Sequence, residues 1–339
     1  MYKRRFVDYI ILWLKGLAMG TANKVPGISG GMIALVTGFY EELIYSFQKV
    51  NLKAFNLLLN GRFRQFVQYI NLDFLFAINF GSVSAFFSIS LLIDWFMRSR
   101  AEGGLGLETE VWSYFFGLII GSVIYVYYKI GKWTRPEIFG VLAGSALGLY
   151  ISFIDPMAPN DSYWFIFLCG IISVSGMTLP GFSGSFILII LGNYNLLLVD
   201  SVNNLFYTIL ALFQGDFQML GTETLAERSE RIRMLAVVAV FAIGSVAGLV
   251  SFSKLMGYLL RRWHDIVLAW LMGFIIGSLG AAWPWKTRDV DVYGQLIGYT
   301  RYMPEHLDTP RFWLQILSII AGILSILVFI YFEKKNNRV

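Results

Sequence analysis

Lys24-Val25-Pro26-Gly27-Ile28-Ser29-Gly30-Gly31 lies near the start of the chain, and Thr178-Leu179-Pro180-Gly181-Phe182-Ser183-Gly184-Ser185 repeats its punctuation 154 residues later. The match extends outward, pairing Gly16 with Gly170, Gly38 with Gly192, Tyr40 with Tyr194 and Leu43 with Leu197. Weaker echoes follow in the same order: Gly81-Ser82-Val83 with Gly244-Ser245-Val246, then Gly117-Leu118-Ile119-Ile120-Gly121-Ser122 with Gly273-Phe274-Ile275-Ile276-Gly277-Ser278. Small residues recur in membrane helices for close packing alone, but prolines, glycines and serines kept in step point to a duplication.

Around these motifs the chain is apolar. Of its 339 residues 57% are hydrophobic and 14% charged, against roughly 25% charged in a globular protein. A water-soluble fold of this size cannot hide so much apolar area. Long apolar stretches cover 72–97, 111–130, 139–154, 234–260, 266–285 and 312–332, and ~20 helical residues cross a ~30 Å hydrocarbon core. The ~10-residue alternating segments of a β-barrel are absent. The pattern predicts an all-α polytopic membrane protein with about six full transmembrane helices.

The net charge of +5 does not indicate nucleic acid, because the basic residues are scattered between apolar spans rather than gathered in a stripe. One cysteine, Cys169, and two histidines, His264 and His306, exclude an internal disulfide and Cys- or His-rich metal clusters. Met1–Arg5 and the apolar run behind it have the outline of a signal peptide, but the run continues into the first motif and is read as retained structure. Phe182-Ser183-Gly184 invites a phosphatase reading, yet a serine nucleophile needs a base and the sequence places none. No enzyme activity, metal or cofactor is expected.

Each half holds a Pro-Gly-broken pair of apolar segments, an amphipathic stretch and three further spans. The first repeat is 1–155, with its broken pair at 6–45 and amphipathic stretch at 51–70; the second is 156–339, with 163–199 and 198–213. Whether each pair crosses twice or dips and returns, a half crosses an odd number of times, so the second half is inverted. With the N-terminus cytoplasmic, fifteen of the 27 Lys and Arg fall on inner segments and nine on outer ones, while Lys15, Lys24 and Lys254 sit inside apolar stretches. The positive-inside rule then puts both termini in the cytoplasm. Lys15 is expected to snorkel to the interface.

Proline removes a donor and glycine permits reversal, so each motif ends one helix and starts another. The first amides of the new helices, at Ser29, Gly30, Gly31 and at Ser183, Gly184, Ser185, lack intrahelical acceptors and carry the positive end of the dipole. At membrane depth such donors must line a polar site or be buried in protein. Two helix starts entering from opposite faces make an anion site for phosphate or carboxylate, with Lys24 adding charge and Thr178 a hydroxyl. Glu41 is a candidate for ion coupling, or marks the headgroup boundary.

Gly20-Thr21-Ala22-Asn23-Lys24-Val25-Pro26-Gly27-Ile28-Ser29-Gly30-Gly31, with Gly176-Met177-Thr178-Leu179-Pro180-Gly181-Phe182-Ser183-Gly184-Ser185, resembles the bacterial polyprenyl-phosphate transporter family (PopT). The resemblance implies re-entrant hairpins in an inverted repeat and recycling of undecaprenyl phosphate, the carrier lipid of cell-wall precursors, from the outer to the inner leaflet of the cytoplasmic membrane. It implies substrate contacts at Asn23, Lys24, Pro26, Gly27, Ser29, Gly30, Gly31, Thr178, Pro180, Gly181, Ser183, Gly184 and Ser185. An inward-moving lipid phosphate opposes an inside-negative potential at ~2.3 kcal/mol per charge per 100 mV, which coupling to protons or sodium would offset. The residues alone leave open a carrier for a small soluble anion, such as phosphate or an organic acid, or a membrane protein that transports nothing.

Overall fold

The computed structural model describes residues 4–24, 29–98, 100, 104–181, 183–214, 225–290 and 296–336. The first stretch builds α1 (Phe6–Lys24), α2 (Gly30–Val36), α3 (Tyr40–Gln48), α4 (Leu52–Leu59), α5 (Phe63–Ile70), α6 (Leu72–Phe87), α7 (Ile89–Met97), α8 (Glu108–Lys129) and α9 (Arg135–Ser152). Then come α10 (Tyr163–Thr178), α11 (Gly184–Ile190), a π-helical turn (Asn195–Asp200), α12 (Ser201–Gln214), α13 (Leu225–Arg262) and α14 (His264–Ser278). A hairpin of β1 (Lys286–Val290) and β2 (Leu296–Arg301) precedes α15 (Pro310–Asn336).

The chain is mostly helical, as its composition predicts, with two corrections to the expected spans. Among the described residues three helices are long and apolar enough to cross a bilayer, Glu108–Lys129, Arg228–Arg262 and Pro310–Tyr331. Leu72–Ala85, Tyr163–Thr178 and His264–Ser278 are apolar but shorter. The stretch 72–97 is divided at Ser88 into α6 and α7, and the stretch 266–285 stops at Ser278 and turns towards the hairpin. The amphipathic segment 51–70 is also two helices, α4 and α5, parted where Gly61 takes a positive φ of 66°. Its apolar side chains Leu52, Phe55, Leu59 and Phe63 are exposed, whereas Ile70 at its end is buried. The small antiparallel hairpin lies outside the all-α expectation; in it Lys286 pairs with Arg301, and an irregularity falls at Asp289/Val290.

The same close contacts are built twice. A methyl group at Gly16 would strike the carbonyl of Ile78, and one at Gly81 that of Trp13, where α1 lies on α6. Where α10 lies on α13, Gly170 faces the carbonyl of Phe241 and Gly244 that of Phe167. Both partners of each contact correspond between the halves, at offsets of 154 and 163. A second recurrence crosses between halves: Gly117 faces Ile319 and Gly322 faces Tyr114 across α8 and α15, while Gly273 faces Val141 and Gly144 faces Trp270 across α14 and α9. Backbones this near can be packed only by residues without a Cβ, which explains why glycines kept in step were visible in the sequence.

The ends of the bundle differ in their ion pairs. At one end Arg4 pairs with Glu42 at 2.5 Å, His264 meets Glu41 at 3.0 Å, and the amides of Gly131 and Lys132 donate to Asp265. At the other, Arg288 pairs with Glu108 at 2.9 Å, Arg311 with Glu110 at 2.8 Å and Arg233 with Asp161 at 3.0 Å. Beside the hairpin Trp285 stacks on Phe312 and meets Trp283 edge-on, and the Trp285 indole donates to Gln315 at 2.7 Å.

Candidate functional site

The two motifs meet. Ser29 has extended backbone and caps α2, its hydroxyl accepting from the Gly31 amide at 3.0 Å. That hydroxyl's one hydrogen is shared between the carbonyls of Leu179 at 2.7 Å and Met177 at 3.0 Å, where α10 ends about 150 residues away in sequence. Ser29, Gly30 and Gly31 are buried. A Cβ on Gly31 would stand 2.7 Å from the Thr178 carbonyl, so the approach of α10 is what forbids a side chain there.

Asn23, in the last turn of α1, accepts from the Gly30 amide at 2.8 Å through Oδ1. The amides of Gly30 and Gly31, left open in the sequence reading, therefore have acceptors inside the chain. The side chain of Lys24 and residues Pro26 and Gly27 lie outside the described structure.

At the second motif Thr178 turns its hydroxyl back to the Ser175 carbonyl at 2.8 Å, Pro180 is buried and Gly181 takes a φ of 122°. A Cβ on Gly181 would lie 3.0 Å from the Ser278 hydroxyl, which places this break against α14. Ser183 caps α11, accepting from the Phe186 amide at 3.2 Å, and its hydroxyl meets that of Ser185 at 3.1 Å. Gly184 and Ser185 are half-buried, and among the described residues their amides have no acceptor.

The far ends of the short helices are closed differently. Lys15 donates from Nζ to the carbonyl of Thr37, the C-cap of α2, at 2.6 Å, and a cation there complements the helix dipole. The matching position is the buried Cys169, and α11 ends instead on a loop whose Met157 amide donates to Ile190 at 2.7 Å. That loop is pinned by Asn193, which pairs with the Asn160 backbone at 2.9 and 2.7 Å. Lys254 is exposed on α13.

A cavity lies beyond each of these ends. Past α2 it measures about 390 Å³ and is lined by Gly38, Tyr40, Glu41, Glu42, Lys129 and His264 among others. Glu41 thus stands one helix length from Ser29, engaged with His264. Past α11 a cavity of about 760 Å³ lies between the 152–158 loop and the β hairpin, where Tyr299, Thr300 and Arg301 line it. Arg301 had counted only as one of the outer basic residues; a hairpin of two short strands leaves little periodic signal to single it out.

The family described as "VCA0040-like: Undecaprenyl phosphate translocase-like" matches residues 19–295. The chain is 32% identical over 284 residues to the polyprenyl-phosphate transporter of Vibrio cholerae serotype O1, covering 83% of this chain and 79% of that one. It is 29% identical over 288 residues to the polyprenyl-phosphate transporter of Staphylococcus aureus, covering 80% and 85%. No solved structure matches it significantly. With both motifs inside the matched region, the chain belongs to the undecaprenyl phosphate translocase-like family.

Proposed function

We propose that this protein carries undecaprenyl phosphate, or a close polyprenyl phosphate, from the outer to the inner leaflet of the bacterial cytoplasmic membrane and so returns the carrier lipid to cell-wall synthesis. The observation that carries the reading is the contact of the buried Ser29 hydroxyl with the end of α10, which brings both Pro-Gly motifs to one place. The relatives' names support the lipid class. On this reading the phosphate takes over the Gly30 and Gly31 amides from Asn23 and Ser29. Lys24, Thr178, Ser183, Gly184 and Ser185 complete its shell, and Pro26, Gly27, Pro180 and Gly181 shape the breaks.

The halves 1–155 and 156–339 then form an inverted repeat, for which the recurring glycine contacts are the support. With seven residues each, α2 and α11 rise only about 10 Å, which suits hairpins that dip and return rather than cross. The cavities beyond their ends serve as inner and outer vestibules, exposed alternately, with both termini cytoplasmic. A lipid-side groove of about 690 Å³, walled by Phe6, Ile10, Trp13, Phe76 and Phe80, offers the polyprenyl tail an apolar track. The protein acts as a carrier, not an enzyme, and Glu41 beside His264 is the place where proton or sodium coupling would enter.

Binding tests the reading: undecaprenyl phosphate against inorganic phosphate and uncharged polyprenol, with Lys24→Ala, Ser29→Ala and Ser183→Ala alongside. Selective binding of the lipid phosphate, lost in the variants, is expected. Binding of inorganic phosphate alone would select the small-anion carrier instead.

A further inference from the structure

Across the β hairpin two cations face each other. Lys286 and Arg301 are register partners in adjacent antiparallel strands, so their side chains share a face, an arrangement that like charges disfavour. Neither forms an ion pair: among the described residues no carboxylate lies within ion-pair distance of either, Glu108 acting on Lys286 only from farther away, although Arg288, Arg311 and Arg233 at this same end all have one.

Their known partners are neutral. Lys286 donates to the Ala281 carbonyl at 2.8 Å and lies over the rings of Trp112 and Tyr299, at 3.4 and 4.6 Å from their centroids. Arg301 donates from Nη2 to the Ser152 carbonyl at 2.5 Å and lies over Phe153 at 4.8 Å. A guanidinium has five N–H donors in a planar fork, so most of them remain to be used. Burial, reinforced by the neighbouring Arg301 and Arg288 and partly offset by Glu108, pushes the Lys286 ammonium well below the usual lysine range, and burial also lowers Arg301. Holding two such charges together without an anion is costly.

Arg301 and Tyr299 line the 760 Å³ cavity, and Lys286 stands behind Tyr299. Asp155 and Asp289 line it too; Asp289 accepts the Thr300 hydroxyl at 2.9 Å and does not reach the guanidinium. We infer that this cavity holds an anion subsite separate from the Pro-Gly motifs, in which Arg301 binds a phosphate monoester directly and Lys286 supports it from behind Tyr299. Its use as the port where a headgroup first docks rests on the transporter reading; the anion site itself stands on two register-paired cations without an ion-pair partner among the described residues.

The test is equilibrium binding of a short-chain polyprenyl phosphate and of inorganic phosphate to the full chain in detergent. It compares wild type with Arg301→Gln/Lys286→Gln, with Arg301→Lys and with Ser29→Ala/Ser183→Ala. The double glutamine variant is expected to lose about tenfold or more in affinity, the scale of a charge-assisted hydrogen bond. Arg301→Lys keeps the charge and should bind within several-fold of wild type, which keeps the proposal testable if the glutamine variant unfolds. Two binding steps in wild type, one lost in the glutamine variant and the other lost in the serine variant, support a separate subsite. Unchanged binding in the glutamine variant overturns it, and leaves the motif reading standing if the serine variant fails. Competition by inorganic phosphate at the Arg301-dependent site would identify free phosphate as the source; binding of the lipid phosphate alone would identify a headgroup.

Discussion

At the start of α2 the amides of Gly30 and Gly31 are held by Asn23 and Ser29, and the Ser29 hydroxyl is tied to the end of α10. At the start of α11 the two serines bond each other, and the amides of Gly184 and Ser185 find no acceptor among the described residues. The motifs share a proline, two glycines and the capping serine, yet the first start is closed within the chain and the second, among the described residues, is open. What differs is the neighbour: Gly31 lies against the Thr178 carbonyl, whereas Ser185, at its matching position, has room for a hydroxyl. A repeated motif supplies two helix starts, and the surrounding packing decides how reachable each one is.

The largest effect that would break this contrast is expected from Gly31→Ala. Its new methyl meets backbone, not a movable side chain, and overpacking of this kind costs about 1–3 kcal/mol. Thermal unfolding in detergent should show the loss, while Ser185→Gly, which makes the second start like the first, should stay within about 1 kcal/mol of wild type. Equal losses at both positions would abolish the distinction.

Next comes Ser29→Ala against Ser183→Ala. Each removes a helix cap worth about 1 kcal/mol, but the first also strips a donor shared by two part-buried carbonyls, a further cost of about 0.5–1.5 kcal/mol. Denaturation midpoints should therefore fall more for Ser29→Ala, and the reverse order would contradict the closed-versus-open account.

A smaller effect separates the far ends of the helices. Lys15→Met removes the cation from the Thr37 carbonyl and should cost about 0.3–2 kcal/mol. Cys169→Ala at the matching position removes only a buried thiol and its packing, and Lys15→Arg, which keeps the charge, should recover part of the loss. If Lys15→Met were neutral, the α2 end would be closed by something else.

Glu41→Gln is expected to be the mildest. Its pair with His264 is exposed on both sides, and such pairs are worth about 0–1 kcal/mol. Stability should hardly change, whereas a change in the pH or sodium dependence of transport would place Glu41 in the coupling step; an unaltered dependence would return it to a boundary role.

Much of this arrangement was legible in the chain because its signals are local. Pro26-Gly27 and Pro180-Gly181 mark where helices stop, and glycines 154 apart mark where backbones touch. The hydrogen bonds that close the first motif were not legible, since Asn23 and the carbonyls of Met177 and Leu179 become partners only once α1 and α10 are packed. The division of 72–97 at Ser88 and of 51–70 at Gly61 escaped for a different reason. Hydropathy continues across both breaks while the backbone turns. The hairpin with Lys286 and Arg301 was missed because two strands of five and six residues sit between long apolar helices that dominate any hydropathy window.

The central claim is that a lipid phosphate crosses the membrane through the place where the two motifs meet. Its most direct test is the inward movement of a fluorescent polyprenyl phosphate in proteoliposomes, comparing wild type with Ser29→Ala/Ser183→Ala matched for folded protein by thermal unfolding. The account predicts transport by wild type and a loss of about tenfold or more in the variant, the scale set by one or two charge-assisted hydrogen bonds to phosphate. Equal rates from folded wild type and variant would contradict it.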